Sequence, residues 1–363
     1  MEQFSRFEKI DASDDFIRKA VEEADLPALM AALAMITGDT SLISEDLKPP
    51  TPPMITAIAP QGGMSKEAQT KARRLAVAAL IKYRDEPNAF EGKPPPALLD
   101  ACVKYLIRGD LEEYRSLLEH ELGVSQDLGS PGWTLDQIAP QTNFRVAVIG
   151  AGVSGIAAAH RLQQADLNFT VYEKNEEVGG VWWENRYPGC RLDTPNFAYS
   201  LSFAQKSDWP QQFSRQPEIL GYLKEVAASA GMKRHIRFGC EVDAMRFDEQ
   251  RGIWTLTVRD RTGEVSQEEF NAVITAVGIL NRPSFADIPG LDTFQGRKVH
   301  SAAWANDVDL TGKRVALVGT GASAFQIGPS IAGEVGELKV FQRNPPWMLP
   351  TPTYHDDIPA GMQ

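Results

Sequence analysis

The sequence predicts an α/β protein. Its plan is two Rossmann-like dinucleotide-binding units, the second one partial, preceded by an all-helical N-terminal domain. Three observations predict it. Residues 144–155 read FRVAVIGAGVSG, a short apolar run leading into G-x-G-x-x-G. Residues 314–324 repeat the plan as RVALVGTGASA, ending in G-x-G-x-x-A. Residues 1–123 instead carry apolar side chains at helical spacing, with no alternating strand pattern.

The helical region comes first in the chain. Ser13 is the expected N-cap of a helical run to Thr37, with Phe16, Val21, Leu26, Leu29 and Leu33 as its inward residues. Pro27 falls inside that run, so two helices are expected to meet near Asp25 and Leu26. Residues 48–60 are Pro-rich and read as loop. Ser65 caps a long helix whose inner face holds Ala76, Val77, Leu80 and Ile81. Further helices are expected over residues 97–107 and 111–122, the last stopping at Gly123. No chemistry is visible in this region, and docking or dimerisation is its expected role. Residues 124–143 read as a linker anchored by Trp133.

The first dinucleotide unit, residues 144–293, opens with Val146, Val148 and Ile149 in a buried parallel strand. Gly150 makes the tight turn, Gly152 admits a pyrophosphate to the backbone, and Gly155 packs the helix on the strand. Val153 and Ser154 start that helix, whose free N–H groups and dipole favour phosphate. The next strand ends in Glu173, 21 residues after Gly152, where a carboxylate accepts both hydroxyls of an adenosine ribose and repels a 2′-phosphate. Gly179 and Gly180 precede Trp182 and Trp183, a pattern suggesting backbone close to a flat ring, or a turn with two core aromatics. Arg186, Arg191 and Asp193 surround a Pro-Gly turn. A helix over residues 214–230 is followed by short strands over 236–242, 245–248, 253–258, 265–270 and 272–276, an antiparallel excursion within the α/β plan. Residues 294–310 form a connector holding His300 and Trp304.

The second unit, residues 311–363, has Gly319 and Gly321 in its loop and Ala322 and Ser323 at its helix start. Its second strand ends at Gln342 and Arg343, with Arg343 standing 22 residues after Gly321, where the first unit has Glu173. An acid suits a bare ribose and an arginine suits a 2′-phosphate, so the first site fits FAD and the second NADPH. A surface arginine beside an unphosphorylated nucleotide is the plain alternative. Only 44 residues follow Gly319 (363 − 319), and the chain is therefore expected to be an N-terminal portion of a longer enzyme.

Composition narrows the function. A net charge of −11 leaves no excess of basic residues for a nucleic-acid partner. No apolar run is long enough for a membrane span, and residues 1–15 do not read as a secretory signal. Three scattered cysteines point to a reducing, cytoplasmic setting and lack the redox pair of a disulfide reductase. Five histidines without ligand spacing predict no metal.

The pattern F-x-G-x-x-x-H-x-x-x-W at Phe294, Gly296, His300 and Trp304, set between the two glycine motifs, resembles the fingerprint of flavin-dependent Baeyer–Villiger monooxygenases. The helical extension is similar to that of the 4-hydroxyacetophenone monooxygenase type. Ala305 stands where the family usually has Pro or Asp. The resemblance implies that Gly150, Gly152, Val153, Ser154, Gly155, Glu173 and Gly180 hold FAD, with Trp182, Trp183 and Arg191 near the flavin. It implies that Asp193 orients a catalytic arginine located beyond Gln363. Gly319, Gly321, Ala322, Ser323 and Arg343 would bind NADPH, and His300 would couple the connector to the nicotinamide. The implied substrates are a small-molecule ketone, aryl by analogy with the extension, and O2, with a homodimer through the helical extension. An N- or S-oxygenating flavoprotein, and a non-catalytic nucleotide-binding fragment with a helical association module, remain as alternatives.

Overall fold

The computed structural model describes residues 10–50, 60–87, 95–107, 127 and 129–362, and the chain forms two compact units. One unit comprises residues 1–129 with residues 205–212 and 349–363, and the other the remainder.

In the helical unit, α1 (Asp14–Glu23) is capped by the Ser13 hydroxyl, which accepts from the Phe16 N–H at 3.2 Å. Asp25 caps α2 (Leu26–Thr37) by accepting from the Ala28 N–H, with Pro27 in the first turn where its missing donor is harmless. The break between the two helices thus falls where Pro27 puts it. The buried face of α1 is Ile17 and Val21, an i, i+4 pair, while Phe16 is 56% exposed, which corrects its assignment to the core. Ser65 caps α3 (Lys66–Asp85), and α4 (Pro96–Leu106) completes a core that includes Leu26, Met30, Leu47, Ala72, Ala76 and Cys102. Gln61 bonds the Leu26 N–H and the Ala24 carbonyl, tying a loop to the α1–α2 junction. The helix expected over residues 111–122 and the loop residues 51–59 lie outside the described residues.

The second unit starts with a short helix, α5 (Leu135–Ile138), held by a Thr134–Gln137 capping box. Trp133 is 40% exposed and is therefore no buried anchor; the Leu135 N–H, bonded to the Ala165 carbonyl at 2.9 Å, does the tying. Then follow β1 (Arg145–Ile149), α6 (Val153–Gln164) and β2 (Asn168–Glu173). A one-turn helix, α7 (Val181–Glu184), and the longer α8 (Gln216–Ser229) lead to β3 (Ile236–Phe238). An antiparallel sheet of β4 (Glu241–Asp248), β5 (Ile253–Arg259) and β6 (Val265–Phe270) precedes the return strand β7 (Ala272–Thr275). The main sheet is parallel throughout, in the order β3-β2-β1-β7.

The sequence suggested one strand over residues 236–242, but the chain changes sheets there. Gly239 has φ +65, a left-handed conformation foreign to a strand. Its N–H bonds the Asn175 carbonyl, after which the chain enters the antiparallel sheet. Ala147 and Tyr172 from the parallel sheet and Leu256, Val258 and Phe270 from the antiparallel one share a core. The chain then forms β8 (Arg314–Val318), α9 (Ala322–Ile331) and β9 (Glu337–Phe341), a second parallel β-α-β unit.

Candidate dinucleotide sites

Both glycine loops open on the same turn. Gly150 has φ +102 and Gly319 has φ +106, conformations that favour glycine. The Gly150 N–H reaches the Tyr172 carbonyl at 2.8 Å, and the Gly319 N–H reaches that of Phe341 at 2.9 Å. Gly152 and Gly321 are the N-caps of α6 and α9, which places Val153 and Ser154, and Ala322 and Ser323, in the first turns.

The first loop is enclosed. A Cβ on Gly155 would lie 1.9 Å from the Gly150 carbonyl oxygen, and one on Gly150 would lie 2.5 Å from that of Ala276. Gly180, at φ +54, approaches the same loop so closely that its Cβ would sit 3.0 Å from the Gly152 Cα. The paired glycines therefore close on the first glycine loop, and the Gly179 N–H bonds the Ala151 carbonyl. The result is bare backbone at a helix N-terminus, a cradle that fits a pyrophosphate. Glu173, 4% exposed, is fixed at its rim. One carboxylate oxygen accepts from the Ala151 N–H at 2.7 Å, and the other from the Asn175 N–H and side-chain amide.

Trp182 is buried and donates its indole N–H to the Tyr199 hydroxyl at 2.9 Å. Trp183 stands beside two cations, with the Arg186 guanidinium 4.5 Å and the Lys224 ammonium 5.2 Å from its ring centre. It lines a cavity of about 390 Å³, together with Lys174, Asn175, Glu184, Asn281 and Trp304. The cavity thus brings together the segment after Glu173 and the end of the fingerprint.

The fingerprint spacing has a local cause. Gly296 lies under the Phe294 ring, where an added Cβ would be 2.4 Å from the ring tip. His300 Nδ1 accepts from the Ala302 N–H at 3.1 Å, capping the turn that delivers Trp304, and the ring stands edge-on to Phe285. Phe294 itself is 57% exposed.

Arg191 and Asp193 do not line that cavity. Arg191 is buried, and Asp193 is exposed with one oxygen accepting from the Gln326 amide on α9 at 2.8 Å. Gln326 is a residue that sequence reasoning missed, since nothing in the glycine motif marks it. Burial raises the neighbouring Cys190 thiol to about 11 and pushes the Tyr187 hydroxyl above the usual phenol range, so both stay protonated at neutral pH. Arg343 is exposed just past β9, and the preceding Gln342 amide donates to Thr320 in the loop.

Residues 143–359 match the flavin-binding monooxygenase-like family. An uncharacterized monooxygenase, y4iD, of Sinorhizobium fredii is 35% identical over 360 residues, which is 96% of this chain and 51% of that protein. A Baeyer–Villiger monooxygenase of Streptomyces coelicolor is 47% identical over 57% of this chain and 39% of its own length. Among solved structures, cyclohexanone monooxygenase with bound ε-caprolactone superposes with a TM-score of 0.53, at 39% identity over 57% of this chain and 40% of its own. The structure called OTEMO, complexed with FAD and NADP, gives a TM-score of 0.52 at 41% identity, over 56% of this chain and 40% of its own. The chain spans about half the length of the first of these relatives and about two fifths of the others.

Proposed function

Because this chain belongs to the flavin-binding monooxygenase-like family, we propose that it serves an FAD- and NADPH-dependent Baeyer–Villiger oxidation of a small-molecule ketone. The observation that carries the reading is a pair of β-α-β units with the same first-glycine turn, one with Glu173 at the end of its second strand and the other with Arg343 just past its own, on either side of the Phe294–Gly296–His300–Trp304 fingerprint. The chemistry FAD supplies when bound is insertion of one oxygen atom of O2 beside the ketone carbonyl, with NADPH as reductant, giving an ester or lactone.

The chain's own residues have separable tasks in this reading. Gly150, Gly152, Gly155 and Gly180 keep side chains away from the pyrophosphate, while Val153 and Ser154 present N–H groups to it. Glu173 uses its remaining lone pairs for the ribose hydroxyls, the Ala151 and Asn175 bonds having fixed its direction. Trp182 and Trp183 wall the flavin side and exclude water from it. Arg191 braces the Pro-Gly turn, and Asp193 presents a carboxylate that holds a cation in place where negative charge develops. On the second loop, Gly319 and Gly321 admit the nicotinamide nucleotide, Ala322 and Ser323 cap its phosphate, and Arg343 pairs with the 2′-phosphate. His300 fixes the turn of the connector between the two sites. Residues 144–204 and 213–293 act as the flavin domain, 294–310 as the linker and 311–348 as nucleotide-binding sequence, while 205–212 and 349–363 group with the helical unit.

Oxidation of a ketone under ¹⁸O2 tests the proposal. An ester carrying one ¹⁸O, with equimolar loss of NADPH, supports it; an N-oxide or sulfoxide formed from amine or sulfide competitors with no ester rejects it. An aryl ketone is the first substrate to try, in line with the extension's likeness to the 4-hydroxyacetophenone type. A cytoplasmic setting is part of this reading, drawn from the scattered spacing of the three cysteines. The helical unit is the proposed homodimer surface, and light scattering before and after removal of residues 1–129 tests that assignment.

A further inference from the structure

Gln326 lies five residues past Gly321 on α9, and its side chain is only 6% exposed. Its amide is used in four hydrogen bonds. Nε2 donates to the Arg191 carbonyl at 3.0 Å and to the Asp193 carboxylate at 2.8 Å. Oε1 accepts from the Arg191 N–H at 3.3 Å and from the Tyr187 hydroxyl at 2.9 Å. A backbone carbonyl only accepts and a backbone N–H only donates, so Arg191 alone dictates which way the amide faces.

The backbone is held close at the same place. A Cβ on Gly189, which has φ +79, would lie 2.6 Å from the Gln326 carbonyl oxygen and 2.1 Å from the Ser330 hydroxyl. The Tyr187 hydroxyl also meets Ser323, in the first turn of α9. One polar network therefore runs from the start of the second loop's helix, through Tyr187 and Gln326, to Asp193. Asp193 is exposed, and one of its carboxylate oxygens is bonded by a buried amide on the neighbouring helix.

We infer that Gln326 is a positioning residue that sets the Asp193 carboxylate from the helix of the second glycine loop, so that nucleotide bound at that loop is felt on the flavin side. This rests on the roles proposed above for Gly319, Gly321 and Asp193. A shift of α9 against the 187–193 segment on nucleotide binding carries the Gln326 donor with it and so acts on Asp193.

The test uses the full chain as wild type, Gln326→Glu, Asp193→Asn and the double variant, with two readouts. In urea unfolding without cofactor, Q326E sets a carboxylate oxygen against two acceptors and lowers the folding constant about tenfold or more. D193N still offers an acceptor and changes it little. In the double variant the amide introduced at position 193 donates to the carboxylate introduced at position 326, and about fivefold is regained. Equal losses in Q326E and the double variant would overturn the bond to Asp193. In the second readout, NADP⁺ is titrated into the FAD-loaded chain and the flavin absorbance change is followed. The change at saturation should fall at least about fivefold in Q326E and partly return in the double variant. An identical response in wild type and Q326E overturns the coupling. Wild type that loads FAD but gives no response to NADP⁺ overturns both the coupling and the nucleotide role of the second loop, while the urea rescue separately decides the bond.

Discussion

The two glycine motifs share a turn in different surroundings. Each is a parallel strand, a tight turn with φ near +100 and a helix capped by glycine. The first strand has neighbours on both sides, and its Ala147 is fully buried. The second pairs with β9 alone among the described residues, and the equivalent Ala316 is exposed. The first acid, Glu173, is buried and hydrogen-bonded into its loop; the second motif's Arg343 is exposed. Local sequence therefore sets the loop's backbone, while enclosure decides how much a substitution there matters.

The third position of the motif should separate the two most. Gly155→Ala drives a Cβ into the Gly150 carbonyl and is expected to destabilise the chain by about 3 kcal/mol or more, with loss of FAD binding. The second motif already has an alanine there, and Ala324→Gly is expected to lose only about 1 kcal/mol, through helix propensity. Urea unfolding of the two variants measures the contrast, and equal effects would break it.

The first position sharpens the point, because both glycines have positive φ. Gly319→Ala meets open space and incurs backbone strain alone, about 1–3 kcal/mol. Gly150→Ala adds the clash with Ala276 and should be clearly worse in the same assay. A smaller loss at Gly150 than at Gly319 would contradict the role given to enclosure.

The charged residues should differ in kind. Glu173→Ala leaves the Ala151 N–H without its acceptor and should destabilise the chain by about 1–3 kcal/mol while weakening FAD. Arg343→Ala should change stability by less than about 0.5 kcal/mol, since the residue is exposed. It should instead reduce the preference for NADPH over NADH about tenfold or more, measured by binding of the two nucleotides.

Much of this was legible in the sequence because it depends on residues close together in the chain. The loops, their helices, the Glu173–Arg343 contrast and the Ser13 and Ser65 caps are of that kind. Other features depend on what packs where. Phe16 and Ile17 are adjacent and both apolar, and only the packing of α1 selects Ile17. Gly239 ends β3 because β4 belongs to another sheet, a fact of topology. Gln326 is an ordinary helix residue until the Tyr187–Asp193 segment, over 130 residues earlier, lies against it. The grouping of residues 205–212 and 349–363 with the helical unit is likewise long-range; there the Gln211 amide meets Asp357 and the Ile358 N–H bonds the Pro210 carbonyl.

The most direct test of the central claim is the absorbance of the purified chain loaded with FAD, recorded anaerobically before and after NADPH, and separately after NADH. The account predicts flavin bands that bleach with NADPH and far more slowly with NADH, the outcome that follows if Glu173 selects FAD and Arg343 the phosphorylated nucleotide. A chain that holds no flavin, bands that persist with NADPH, or equal bleaching by both nucleotides would contradict it.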